Sequence, residues 1–170
     1  MSDLNFFLAE FKQEAELTRN FLTKVPFDHP EYKPHTKSET LGRLAIHVAE
    51  IIAWWKNVLE ENEMDFAGFM PENINSSEAL VSYFDKLFEQ TLKAFSNAKE
   101  EILEQEWTMK DGKDIYMTLP KKQILRIYCM NHLVHHRAQL GVYLRMLDIE
   151  IPATYGPSAD NFEVTLSNKF

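Results

Sequence analysis

Cysteine is nearly absent from this 170-residue chain: Cys129 stands alone. A lone thiol cannot form an internal disulfide and suits a reducing compartment. Glycine is scarce too, with 5 residues, and long stretches lack both glycine and proline. That argues against a turn-rich β fold and for long helices. No apolar run approaches the roughly 18 residues of a membrane span. The opening MSDLNFFLAEFKQEAEL carries acidic residues and lacks the continuous apolar stretch of a signal peptide. A cytoplasmic protein with no membrane partner is therefore expected. Positive charge is also in deficit: 18 Lys and Arg against 26 Asp and Glu give a formal net charge of −8. Such a surface repels phosphate backbones, so nucleic acid is not an expected partner. The largest basic cluster, around Lys121, Lys122 and Arg126, is short and reads as a solvated helix start.

What is present is an ordinary globular composition without internal repeats or low-complexity linkers, so residues 1–170 are expected to form a single domain. Four amphipathic segments stand out. The first runs from about Asp3 to Lys24, with Leu4, Phe7, Leu8, Phe11, Ala15 and Leu22 at helical spacing. It stops before Pro26, Pro30 and Pro34, which forbid helix. The second is expected from Thr36, where Thr36 and Glu39 have capping-box spacing. Its stripe is Leu41, Leu44, Val48, Ile51, Trp55 and Leu59, and it ends in the acidic run ENEMD. The third begins near Asn75 or Ser76 and continues through Leu80, Phe84, Leu87, Phe88, Thr91, Leu92, Phe95 and Ala98 to Leu103. Between Trp107 and Leu119, Asp111-Gly112 flanked by β-capable residues signals a hairpin. A lone hairpin is marginal and must lean on the helices. The fourth helix starts with Pro120 in its first turn and runs to about Asp148, with Leu125, Tyr128, His132, Gln139, Tyr143 and Leu147 on one face. The tail from Ile149 is expected to be irregular. The fold class that follows is all-α: a four-helix bundle with a small β-hairpin between helices 3 and 4.

Three of the six histidines crowd into the fourth helix. At about 100° per residue, His132 and His136 stand roughly 40° apart near the middle of its inward stripe, so both imidazoles can reach one point. His47 flanks the apolar face of the second helix and is expected to point inward as well. Bundles build metal sites from side chains on facing helices. Three neutral imidazoles with an open fourth position describe a catalytic zinc-type site. A lone helical histidine is more often a surface or satisfied core residue, and H-x-x-x-H also arises by chance. Pattern alone therefore leaves the metal and no-metal readings both open.

Three blocks add a further signal: YKPHTKSETLGRLAIHVAE at 32–50, NHLVHHRAQLGVYLRML at 131–147 and PATYGPSAD at 152–160. In order and spacing they resemble the DinB family, the DinB/YfiT-like metalloenzymes, over nearly the whole chain. The family usually has glycine where this chain has Ala138, a change that suits a helix. The resemblance implies a four-helix bundle, often a homodimer. It also implies a divalent metal held by one histidine of the second helix and two spaced by four on the last: His47, His132 and His136. Zinc or nickel is the expected ion.

His135 reads either as an alternate ligand or nearby acid/base, or as a flank residue. Tyr155 reads either as a cover over the metal mouth or as a pin for the tail. Asn131 and Gln139 are candidate partners for the imidazoles, Cys129 a buried inert residue, and Trp54 and Trp55 core or interface aromatics. No side chain is assigned as general acid or base. Proteins of this resemblance include transferases and isomerases that use a low-molecular-weight thiol. A metal-dependent enzyme of the thiol-transferase type, acting on a small-molecule substrate, is therefore the leading expectation. The same metal can instead activate water for hydrolysis. A non-catalytic stress-response bundle with a structural metal is the third reading.

Overall fold

The computed structural model describes residues 2–162. The elements follow as α1 (Asp3–Leu22), α2 (Leu41–Glu60), β1 (Glu63–Asp65), α3 (Ser77–Asn97), a 3-10 turn (Glu100–Glu104), β2 (Glu106–Asp111), β3 (Asp114–Pro120), α4 (Lys121–Ile124), a π-helical segment (Leu125–Asn131) and α5 (His132–Met146). α4, the π segment and α5 run on as one rod, the fourth member of a helical bundle. From Ile149 to residue 162 the chain is irregular, as expected, while residues 163–170 lie outside the described part.

α1 starts at Ser2, whose side chain accepts the Asn5 N–H. The Glu100 carboxylate, distant in sequence, accepts the Asp3 and Leu4 N–H groups at 2.8 and 3.2 Å. A carboxylate at a helix N-terminus satisfies orphan donors and complements the helix dipole. α2 departs from the expected start. Thr40, not Thr36, caps it by accepting the Arg43 N–H. The N–H groups of Leu41 and Gly42 are taken by the carbonyls of Tyr32 and Pro30, both at 2.9 Å. The proline-rich loop thus folds back onto the helix start, and residues 36–39 form a turn, a bend and an irregular residue instead of a first helical turn. A Cβ at position 42 would stand 3.2 Å from Pro30 Cβ, so glycine permits this close approach.

α3 is capped by Ser76, which accepts the Ala79 N–H. It ends at Asn97, short of Leu103, which is buried from the separate 3-10 turn. The hairpin forms as read, with Gly112 at φ 58° in its turn. The run ENEMD holds more than a helix end: Glu63–Asp65 pairs parallel with Thr108–Lys110, giving a three-stranded sheet in the order β1-β2-β3. Asp65 Oδ1 ties this strand to the hairpin by accepting the Gly112 and Ala67 N–H groups. Trp107 anchors the sheet on the bundle; it is buried, and its indole N–H donates to Asn57 Oδ1 of α2. Pro120 is the residue before the last rod, not part of its first turn.

All four rods contribute to the core, and its aromatic part forms where α1, α2 and α3 meet. Phe11 contacts the rings of Trp55, Phe88 and Phe95 with centroids 5.3, 5.5 and 5.4 Å apart. Trp55 and Phe11 are wholly buried. Such aromatic pairs add about 0.5–1.5 kcal/mol each beyond area burial. On the opposite side of α1, Arg137 of α5 is buried in an ionic lock. Its guanidinium reaches Glu14 Oε2 at 2.7 Å, the Glu14 carbonyl, the Thr18 hydroxyl and the Tyr155 hydroxyl. Tyr155 in turn donates to Glu14. The tail is therefore pinned to α1 and α5 by Tyr155. Removing one partner of a buried pair leaves the other charge uncompensated, at a cost of about 3–5 kcal/mol. Arg137→Ala is expected to lower unfolding free energy by that amount in urea titration; a loss under 1 kcal/mol would show the lock to be incidental.

Candidate metal centre

The last rod is not one regular helix, and this places its histidines. Between Leu125 and Asn131 the winding is π-helical, a wide turn that is rare and common at functional sites. A wheel drawn at a constant 100° across residues 125–147 is therefore out of phase. The buried stripe of α5 is Leu133, Arg137, Leu140, Gly141, Tyr143 and Leu144. His132 and His136 sit half-buried at its rim instead of at its centre. His47 is also half-buried, on the edge of α2 that faces them. Burial of unpaired imidazoles is thus avoided, and access from solvent is kept.

The three rings converge. His47 Nε2 and His132 Nε2 are 3.4 Å apart, and ring centroids in the triad are 5.2, 4.7 and 4.6 Å from one another. One ligand nitrogen from each residue lies within 4.8 Å of the others. Two nitrogens on one tetrahedral ion, each at about 2.0–2.1 Å, stand roughly 3.4 Å apart. The His47–His132 pair already meets that distance, and His136 offers a nitrogen within 4.8 Å of both.

Two of the rings are also oriented by a second hydrogen bond, and the third faces a carboxylate. The backbone N–H of His132 bonds the Cys129 carbonyl instead of the α-helical partner at Tyr128. The Tyr128 carbonyl accepts from Nδ1 of His132 at 3.3 Å. His136 Nδ1 donates to Gln139 Oε1 at 2.7 Å. His47 Nδ1 faces Glu50 Oε2 at 3.9 Å, a carboxylate that Arg43 holds at 2.9 Å. For His132 and His136, anchoring Nδ1 in this way fixes the tautomer and aims Nε2 at the shared point. Burial pushes the His132 imidazole down to about 4, helped by the neighbouring His136 and His47 rings. His136 is lowered for the same reasons, burial first and His47 next. Neutral imidazole is the form that ligates metal. Glu50 stays below the usual carboxylate range despite its burial, because His47 faces its charged form and the Arg43 guanidinium hydrogen-bonds it.

Gln139 takes the supporting place expected of it. Asn131 does not; it is exposed, with no bond to the triad. His135 is exposed beside His136 and lines a different cavity with Tyr155, on the α1 side. Tyr155 belongs to the Arg137 lock and does not cover the triad. Cys129 is fully buried, and burial pushes its thiol well above its ordinary value, so it is inert. Two contributors escaped sequence reading. Trp54 packs on His132 with centroids 4.9 Å apart, and Arg43, one turn before His47, borders a cavity of about 550 Å³ that opens on His47 and His136. The i, i+4 and i+11 spacing of Arg43, His47 and Trp54, which puts them on one helix face, was the available signal.

The family model described as the DinB family matches residues 1–166. Bacillus subtilis YrdA, described as uncharacterized, is 23% identical over 163 residues, covering 94% of this chain and 92% of that protein. Bacillus subtilis YjoA, described in the same way, is 25% identical over 154 residues, covering 89% and 96%. A crystal structure of YjoA, called DinB-like, superposes with a TM-score of 0.66 at 23% identity, covering 86% of this chain and 95% of that one. A DinB-like protein from Bacillus cereus ATCC 10987 gives 0.66 at 21% identity, covering 88% and 95%. These solved structures bear out the helical fold. No helix among the described residues is long and apolar enough to cross a membrane.

The lowered His132 value has a consequence for stability. The unfolded ring titrates near about 6.5, so between that pH and about 4 the unfolded chain binds a proton that the folded chain excludes. In chelator-treated protein the contribution is complete above about 6.5 and is lost as pH falls toward 4. His132→Gln is expected to flatten the fall in urea midpoint over that window. An unchanged pH profile would refute the burial argument.

Proposed function

The chain belongs to the DinB family, and from that membership and the converging imidazoles we propose that it binds one divalent metal ion through His47, His132 and His136. The carrying observation is that all three rings bring a nitrogen toward a common point while the Nδ1 atoms of His132 and His136 are hydrogen-bonded elsewhere. Zinc or nickel suits imidazole ligands. Among the described residues no fourth His, Cys, Asp or Glu joins the group. Three protein ligands leave coordination open, as in catalytic sites, whereas structural sites are closed by four.

The protein then works as a metal-dependent enzyme of the thiol-transferase type. A zinc-type cation, when bound, holds a coordinating thiol as the nucleophilic thiolate. The thiol has to come from a small cofactor, because Cys129 is sealed in the core. The cavity beside His47 and His136 gives such a molecule and its small electrophilic substrate an entrance. Gln139 and the Tyr128 carbonyl keep protons on the far nitrogens of His136 and His132, and Trp54 shields the His132 ring from water on one side. His132→Ala is expected to lose bound metal in elemental analysis and to melt several degrees lower; unchanged metal content would reject the ligand set. Activity with thiol plus electrophile supports the transferase reading. Turnover of esters or amides without thiol would replace it with hydrolysis, and stoichiometric metal with neither activity would leave a structural role.

A homodimer, implied by the family resemblance, has an apolar face available on α5. Val142 and Met146 are exposed there, at the edge of a cavity of about 390 Å³. Val142→Asp is expected to give a monomer in analytical ultracentrifugation; a dimer of unchanged strength would move the contact elsewhere.

A further inference from the structure

α2 carries more than a ligand along its exposed edge. Arg43, His47 and Trp54 fall within an arc of about 40° at 100° per residue. Along the axis Arg43 stands roughly 6 Å before His47, and Trp54 roughly 10 Å after it, at 1.5 Å per residue. The two sides of His47 differ in chemistry.

On the Arg43 side lies the cavity of about 550 Å³, whose charged lining residues are Lys37, Arg43 and Glu39. Arg43 commits one Nη1 to Glu50, which is buried behind it. Lys37 is exposed, and among the described residues its ammonium has no ion pair. Counting Glu50, the four side-chain charges balance. A dication held by three neutral imidazoles therefore leaves this cavity with uncompensated positive charge.

On the Trp54 side an aromatic ladder leads from the triad to solvent. His132 meets Trp54 at 4.9 Å, Trp54 meets Phe66 at 5.7 Å, and Phe66 meets Phe69 at 6.3 Å between ring centroids. Phe69 is 51% exposed and the adjacent Met70 83% exposed. Single exposed apolar residues are ordinary, but a contiguous set beside a site marks a binding surface.

From this arrangement, and resting on the metal-site reading above, we infer that the site takes a small amphipathic anion. Its carboxylate lies toward Arg43 and Lys37, its aromatic or alkyl arm lies along Trp54, Phe66 and Phe69, and its metal-binding atom sits between them. The span of roughly 16 Å between the two ends, from the helical rise, limits the molecule to a few carbon units on each side.

The test uses cobalt-loaded protein and four thiol probes, with binding read from the cobalt absorption band. The probes are 2-mercaptoethanol, mercaptoacetate, 2-phenylethanethiol and 2-mercapto-3-phenylpropanoate. The last, which has both arms, is expected to bind at least tenfold tighter than 2-mercaptoethanol, with each one-armed probe in between. Lys37→Ser, at an exposed position, is expected to weaken mercaptoacetate several-fold and leave 2-phenylethanethiol unchanged. Phe69→Ser, at an exposed position, is expected to do the reverse. Equal affinities for the four probes, or variants that weaken all four alike, would overturn the inference while leaving the metal site standing. A cobalt band that no thiol perturbs would overturn this inference alone, and failure to take up cobalt would overturn the metal-site reading and this inference together.

Discussion

The lateral packing of α2 against α5 sets the separation of His47 from the His132–His136 pair, and the rest of the site depends on that distance. Imidazole is short and has two torsions, so it cannot make up for a helix displaced by several ångströms. The spacing is held on both flanks. Inside, Leu44, Val48 and Ile51 of α2 and Leu133 and Leu140 of α5 are buried in the common core. At the cavity end, the Tyr143 hydroxyl donates to the Glu39 carbonyl at 3.0 Å, tying α5 to the residue before the α2 cap. Close packing resists displacement in either direction, because a gap loses contacts and an overlap forces rotamers.

The site also needs α5 to face α2 at the correct rotation, and two features govern it. The π turn resets the phase of the rod just before His132 and frees the Tyr128 carbonyl to orient that ring. The Arg137 lock, one residue after His136, fixes the other side of α5 to α1. Adjacent residues on a helix point about 100° apart, so locking Arg137 inward to α1 turns His136 outward to the rim. The stability of the ionic lock and the geometry of the triad are thus two consequences of one helical rotation.

Much of the site was legible because its elements are local. Two histidines four apart on an amphipathic segment share a face whatever surrounds them, and Gln139 falls one turn after His136. The stripes on α1 and α2 are buried as their periodicity implies, and Ser76 caps α3. The misplaced start of α2 shows the limit. Thr36 and Glu39 have capping spacing, but the carbonyls of Pro30 and Tyr32 reach the first-turn donors, and Thr40 is left to cap. Likewise Glu63–Asp65 carries no strand signal, since its pairing comes from Thr108–Lys110 some 45 residues away.

By itself, then, the sequence determined the helices, the hairpin turn and the identity of the three candidate ligands, because hydrophobic period, cap chemistry and i, i+4 spacing are fixed within a few residues of chain. Only the tertiary structure decided that the histidines lie on the rim and not in the core. It alone placed Trp54 and Arg43 on either side of them, and it alone assigned Tyr155 to the tail lock. Those outcomes depend on the π turn, on the buried Arg137–Glu14 pair and on loop carbonyls meeting a distant helix start. Each is a contact between groups whose sequence separation carries no periodic signal, and whose free energy exists only once the bundle has brought them together.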